Sequence, residues 1–208
     1  MILSFETSTK AFSVSLQHAE ERVDLEIIRS TFHSQSIVSV ADFLLKSISA
    51  SVKEVEEVYC GIGPGSFTGI RIGLTFANTL CETLGIPVAG ISSLDLLAFE
   101  SGKWYNAVVS FIRSRKNEVY TASYREGKRV SEYLALGKGE FELFLRRENP
   151  GCIAASEEDI RSLALESVLA GREMVFSFPW AKHAYSLAKL CDVKPEKKFL
   201  KPLYVRNF

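Results

Sequence analysis

The apolar positions of the first hundred residues follow two different periods. Ile2, Leu3 and Phe5 lie in a short apolar run, and Phe12, Val14 and Leu16 alternate with polar residues. "ILSF" and "AFSVSLQ" therefore predict strands, joined by the turn residues of "ETSTK". "VDLEIIRSTF" predicts a third strand and completes a meander. The period then lengthens. Ile37, Val40, Ala41, Leu44 and Ile48 recur on one helical face and predict a helix over 34–49, with Ser34 or Ser36 as its N-cap. "VEEVYCGIG" predicts a strand entering a glycine-rich loop, and "TGIRIGLTFANTLCETLG" a helix over 67–84, closed by Gly85 and then Pro87. "IPVAGI" predicts a strand and "SSLDLLAFE" a helix. The order β-β-β-α-β-α-β-α specifies a mixed α/β sheet with parallel later strands and helices on its faces.

Around "ESGKW" the composition turns polar and marks a boundary between an N-terminal lobe, 1–102, and a C-terminal lobe, 103–208. "NAVVSFI", "EVYTASYR" and "KRVSEYLAL" predict three strands in the second lobe. "GEFELFLRRE" predicts a helix, "GCIAAS" a strand, "EEDIRSLALES" a helix and "EMVFSF" a strand or helix start. "WAKHAYSLAKLC" predicts a helix with Ala181, Ala184, Tyr185, Ala188 and Cys191 on one face, before the basic tail "KPEKKFLKPLYVRNF". No sequence repeat is visible, although the element order of the second half echoes the first.

The segment "CGIGPGSFTGIRIGL" raises the question of chemistry. It lies between a strand and a helix N-terminus, where backbone N–H groups and the helix dipole favour anions, so Gly63, Gly65, Ser66 and Thr68 form a candidate nucleotide or anion loop. Two phosphate fingerprints fail. The Walker pattern needs Gly-Lys-Ser/Thr, and the segment has no lysine. The G-x-G-x-x-G pattern ends on Ser66 or Thr68 instead of glycine. Gly63-Pro64-Gly65 reads instead as a tight turn, with Ser66 or Thr68 as helix cap. Gly69, Gly73 and Ala77 form a smooth stripe every four residues, suited to internal packing or to a partner helix. Ile70, Leu74, Ala77 and Cys81 can face the sheet while Ile72, Phe76, Thr79 and Thr83 lie on another side; a helix apolar on two sides is deeply buried or part of an interface.

Composition narrows the classes. The 208 residues are 47% hydrophobic and 24% charged, a globular mixture. No apolar run approaches the roughly 18 residues that span a bilayer, and "MILSFETSTK" lacks the features of a signal peptide, so a cytoplasmic protein without membrane association is expected. The four cysteines are scattered, with no C-x-x-C or Cys/His cluster, and are expected to be buried free thiols; no metal site is expected. Net charge is zero but unevenly divided: residues 1–102 carry 6 Lys and Arg against 12 Asp and Glu, residues 103–208 carry 19 against 13. The basic half offers a surface to RNA or an acidic partner, or a solvated face. Glu6, at the end of the first strand, aims at a ligand or serves the turn. His18, His33 and His183 have no histidine at ligand spacing, and no nucleophile has a visible base, so no catalytic residue is assigned.

The motifs do not stand alone. "ILSFETSTKAFSVSL", "HSQSIVSVADFLL", "GIGPGSFTGIRIGLTFANTLCETLGIPVAGISSLDLLA", "NEVY" and "KPLYVRN" occur in this order, and together they closely resemble the bacterial TsaB family, also called YeaZ. The resemblance is strong over about the first hundred residues, "NEVY" and the C-terminal tail, and limited to length and pattern between about 125 and 195. It implies an actin/hexokinase-like (ASKHA) two-lobed α/β fold with mixed sheets flanked by helices, the C-terminal lobe truncated. It also implies a place in making the threonylcarbamoyl modification of tRNA adenosine, as a degenerate relative of the transferase subunit TsaD. TsaD-like proteins carry a histidine metal motif on their early helix; here "SQSIVSV" follows His33 without a second histidine.

The implied role is a non-catalytic scaffold that pairs with TsaD through the two early helices. Its interface would include Ile37, Ala41, Leu44, Gly69, Ile72, Gly73, Phe76, Ala77 and Leu80. The same face would form a homodimer without the partner. The ATPase TsaE joins the family's complex, tRNA is reached through that complex, and ATP or ADP sits at its junction, with no cofactor belonging to this chain alone. Two departures stand out. Glu6 replaces the usual Asp, and Arg113 replaces the acid that often precedes "EVY", creating a candidate basic contact from Arg113, Arg115 and Lys116. An ASKHA-fold enzyme, ATP-hydrolysing or peptidase-like, and an RNA-binding module stay open as alternatives.

Overall fold

The computed structural model describes residues 1–19, 21–28, 35–115, 117–163, 169 and 171–205, and divides into two compact units. Unit 1 comprises Met1–Ser93 and Trp180–Leu203; unit 2 comprises Leu94–Pro179 and Tyr204–Phe208. This division differs from the expected boundary at 102/103 in two ways. The helix of "SSLDLLAFE" falls in unit 2 from Leu94 onward, and the segment from Trp180 returns to unit 1.

Unit 1 opens with the predicted meander: β1 (Ile2–Glu6), β2 (Ala11–His18) and β3 (Glu21–Ile28), antiparallel throughout, with Phe5 opposite Val14 and Leu16 opposite Val23. Next come α1 (Gln35–Ser47), β4 (Glu57–Gly61), α2 (Phe67–Leu84) and β5 (Val88–Ile91). The sheet order is β3-β2-β1-β4-β5, with β1–β4 and β4–β5 parallel. One face presents Leu3, Phe5, Phe12, Val14, Leu16, Val58 and Cys60 to the buried sides of α1 and α2. Burying such side chains contributes about 1.5–3 kcal/mol each. The expected N-cap of α1 lies outside the described side chains.

The alternation in β2 suggests one wet face, yet all of Ala11–Leu16 is buried. The cause is the C-terminal segment. A 3-10 turn, Ala181–His183, and α6 (Ala184–Leu190) cover the other face, where the Ala181 N–H donates to Ser13 Oγ at 2.9 Å and Tyr185 meets Tyr59 edge-on at 5.7 Å. The helix ends at Leu190, with Cys191 as its C-cap. Leu187 joins Ala181, Ala184 and Ala188 in the core, and Cys191 is exposed, correcting the expectation of four buried thiols.

Unit 2 contains α3 from Leu94 (Ser93–Phe99 as a helix), β6 (Ala107–Arg115), β7 (Glu118–Arg125), β8 (Lys128–Arg129), β9 (Leu134–Gly137), α4 (Lys138–Glu148), β10 (Cys152–Ala155), α5 (Glu157–Leu163) and β11 (Glu173–Phe176). Its sheet runs β11-β10-β6-β7-β8, with β9 also on β7. As in unit 1, the central strand pairs antiparallel with the next strand and parallel with a later one, so the echo in element order is an echo in topology. "KRVSEYLAL" forms two short strands because Ser131 Oγ accepts the Ser123 N–H at 2.9 Å, replacing a backbone acceptor and interrupting the ladder. Phe111, Phe141, Phe144, Leu145 and Ile153 fill one face of this sheet.

Candidate functional site

The site lies in unit 1, where β1, β4 and β5 end and α2 begins. Ser66 caps α2, its Oγ accepting the Gly69 N–H at 3.2 Å. Gly63 turns the chain at φ +94°, a conformation strained for any L side chain. The loop does not stand open. Ser66 N–H donates to Ser8 O at 2.6 Å, Ser93 N–H donates to Gly63 O at 2.8 Å, and Thr7 Oγ1 donates to Gly69 O at 2.8 Å. The glycine stripe receives this β1–β2 loop: a Cβ at Gly69 would lie 2.0 Å from Thr7 O, and one at Gly73 2.4 Å from Thr7 Oγ1.

The stripe thus packs inside the chain itself. Gly69, Gly73 and Ala77 are buried within the chain, as are Ile37, Ala41 and Leu44, because they pack against the chain's own loop and sheet. Of the nine residues expected at an interface, Ile72, Phe76 and Leu80 remain half-buried. In the anion loop, Gly63 is buried, Gly65 is half-buried, and Ser66 and Thr68 are exposed.

Glu6 is fully buried beneath the loop. Its carboxylate accepts from Ser8 N–H and from Ser93 Oγ at 2.8 Å, while Ser8 Oγ donates to Ser93 Oγ at 2.7 Å. A Cβ at Gly61 would sit 1.9 Å from Glu6 Oε2, so glycine there gives the carboxylate its space. Burial raises the Glu6 carboxyl above its ordinary range, against the opposing effect of the hydrogen bonds from Ser8 and Ser93. Burial likewise raises Cys60, with the neighbouring Glu6 charge adding to it, so this sulfur stays a thiol. Among the described residues no three His, Cys, Asp or Glu side chains group as metal ligands. The arrangement ties three segments together and leaves Glu6 facing protein donors.

Outside this cluster, α1 and α2 enclose an open apolar groove of about 520 Å³. Ile37 and Val38 supply one side, and Phe67, Thr68, Arg71, Ile72, Thr75, Phe76 and Thr79 the other. Val38 is 57% exposed and Phe67 59%, and Phe43 of α1 is 62% exposed. Arg71 lays its guanidinium 5.3 Å from the Phe67 ring centroid, and Phe76 is held from behind by Phe5, ring to ring at 5.2 Å. Sequence reasoning missed Val38, Phe67, Arg71 and Thr75. For the three on α2 the signal was the i, i+4 series Phe67–Arg71–Thr75–Thr79, running beside the core stripe.

The expected basic contact lies in unit 2. Arg113 faces Glu158 at 3.8 Å and Asp159 at 3.9 Å, both in the first turn of α5, so its charge is matched inside the unit. Burial raises the Asp159 carboxyl, opposed by a hydrogen bond from Ser156 and by Arg113. Arg115 is exposed, and Lys116 lies outside the described residues.

A family model described as "TsaD: tRNA N6-adenosine threonylcarbamoyltransferase" matches residues 27–184. The tRNA threonylcarbamoyladenosine biosynthesis protein TsaB of Haemophilus influenzae is 32% identical over 142 residues, 67% of this chain and 58% of that protein. The TsaB of Bacillus subtilis is 26% identical over 182 residues, 84% and 79% of the two chains. The match thus spans little more than half of the Haemophilus protein. A crystal structure of a Pseudomonas aeruginosa protein described as similar to peptidase YEAZ superposes with TM-score 0.84 at 23% identity, covering 99% of both chains. YeaZ from the same organism gives 0.79 at 22%, covering 98% and 99%. These two likenesses are likenesses of fold.

Proposed function

The chain belongs to the TsaB (YeaZ) family of TsaD-like proteins, and from that premise we propose that it serves tRNA threonylcarbamoyladenosine biosynthesis as a non-catalytic partner subunit. It pairs with a TsaD-type subunit, which performs threonylcarbamoyl transfer to the tRNA adenosine. The observation that carries this reading is the α1–α2 groove, where Val38 and Phe67 expose more than half their apolar surface beside half-buried Ile72 and Phe76. Contiguous apolar surface rimmed by polar Thr68, Thr75, Thr79 and Arg71 is what a protein interface requires. The non-catalytic part is supported by Glu6, whose oxygens serve Ser8 and Ser93. A TsaE-type ATPase joins the pair, ATP or ADP sits at the junction, and tRNA is engaged through the assembly. The same groove closes a homodimer when the partner is absent.

The test is the double variant Phe67→Glu, Thr75→Arg, both exposed positions lining the groove. It should weaken pairing with the TsaD-type subunit by at least about 30-fold, since central interface residues contribute roughly 2 kcal/mol or more, while the unfolding midpoint stays put. Leu143→Glu, on an equally exposed leucine of unit 2, should leave pairing unchanged. Full co-elution of the double variant defeats the interface. Full tRNA modification in a reconstituted system lacking this chain defeats the role.

A further inference from the structure

We propose that the C-terminal strap, residues 194–203, is a contact for single-stranded RNA, with Phe199 as a stacking platform and Lys197, Lys198 and Lys201 as phosphate contacts. The strap is fixed. Val88 and Glu196 exchange N–H···O bonds at 2.9 and 3.0 Å, Asn78 clamps the Leu200 backbone by accepting its N–H at 2.8 Å and donating to its carbonyl at 3.1 Å, and Leu203 N–H donates to Ile62 O at 2.9 Å. Leu200 itself is in the core.

With Leu200 pinned inward, its neighbours point out. Lys197, Lys198 and Lys201 are exposed, and Phe199, at 63% exposure, is left on the surface between them. Four lysines stand against one acid between Lys194 and Lys201, and that acid, Glu196, pairs with Lys198 at 3.0 Å. Among the described residues neither Lys197 nor Lys201 has an ion-pair partner.

Beside the Phe199 ring lies a pocket of about 190 Å³, lined also by Ile86, Cys81 and Glu82, with Lys197 and Lys198 at its edge. A flat apolar ring, a slot beside it and cations flanking both suit a base and its phosphates. Acidic side chains alone would engage the lysines without using the ring. The choice of RNA rests on the proposed role in tRNA modification; the geometry of the strap does not.

The experiment measures binding of the full chain to a labelled single-stranded RNA of about 12 nucleotides, across salt concentrations, with a polyglutamate peptide as competitor. Phe199→Ala should weaken RNA binding roughly 5- to 100-fold with the salt slope unchanged. Lys197→Ala with Lys201→Ala should flatten the log–log salt slope by about 1.4, about 0.7 per phosphate contact in a single strand. No RNA binding by the wild type, or Phe199→Ala binding as well as the wild type, overturns the inference. So does polyglutamate displacing RNA at equal charge, which assigns the strap to an acidic protein. Co-elution with the TsaD-type subunit is measured on the same proteins, so the pairing and the RNA contact can fail independently.

Discussion

Near the carboxyl end of β1 stands an acid, Glu6, and near the carboxyl end of β6 stands a cation, Arg113. The two strands hold the same place in sheets of the same order. Around Glu6 the chain has built a closed corner: a buried carboxylate, two serines, and glycines that let the loops approach within van der Waals distance. Around Arg113 it has built an open one, a half-exposed guanidinium facing two carboxylates across 3.8–3.9 Å. In the first the neighbours are fixed by exclusion of space and water. In the second they are held by charge, which water and salt weaken. A topology used twice thus serves two purposes, and the closed corner is the one that supports a long helix with an apolar groove on its outer side.

Variants can break that contrast, and the largest effect should come from the glycines. Gly69→Ala would place its Cβ 2.0 Å from the Thr7 carbonyl oxygen and should cost about 1–3 kcal/mol or more in chemical denaturation. Gly151→Ala in unit 2, where the nearest atom is 3.8 Å away, should stay within about 0.5 kcal/mol. Equal costs at the two positions would remove the close-packing account of the stripe.

Glu6→Gln should come next. Because burial raises the folded carboxyl, Glu6 contributes stability below its unfolded pKa and loses that contribution as pH rises through the folded one. The stability of Glu6→Gln relative to wild type should therefore increase as pH rises above the ordinary carboxylate range. A difference that stays flat or shrinks would show that the hydrogen bonds from Ser8 and Ser93 outweigh desolvation. Arg113→Ala comes last of the three, expected to cost about 1 kcal/mol or less and to lose that cost in high salt. A larger, salt-insensitive loss would mean that the unit 2 corner is closed as well.

Much of unit 1 was legible in the chain. The alternation of Phe12, Val14 and Leu16 and the helical recurrence of Ile37, Ala41 and Leu44 located the elements and their core faces. The glycine loop was also read correctly as a turn and a cap, since Ser66 and Gly63 have local roles that local chemistry predicts. The use of the α2 stripe was less legible. Gly69, Gly73 and Ala77 say that a backbone comes close, and nothing in the helix says whose. The answer is the β1–β2 loop, some sixty residues earlier, through Thr7.

By itself, the sequence determined the periods, the caps, the turn residues and the motif order that places the chain in its family, all of which rest on neighbours within a few positions. Tertiary structure decided which apolar side of α2 stays outside, why Ser13 is buried, where Trp180–Leu203 belongs and what surrounds Glu6. Each of these depends on segments that meet only after the chain has closed loops of many residues. A residue's pattern records its preference for burial, but the partner that buries it is chosen by the fold.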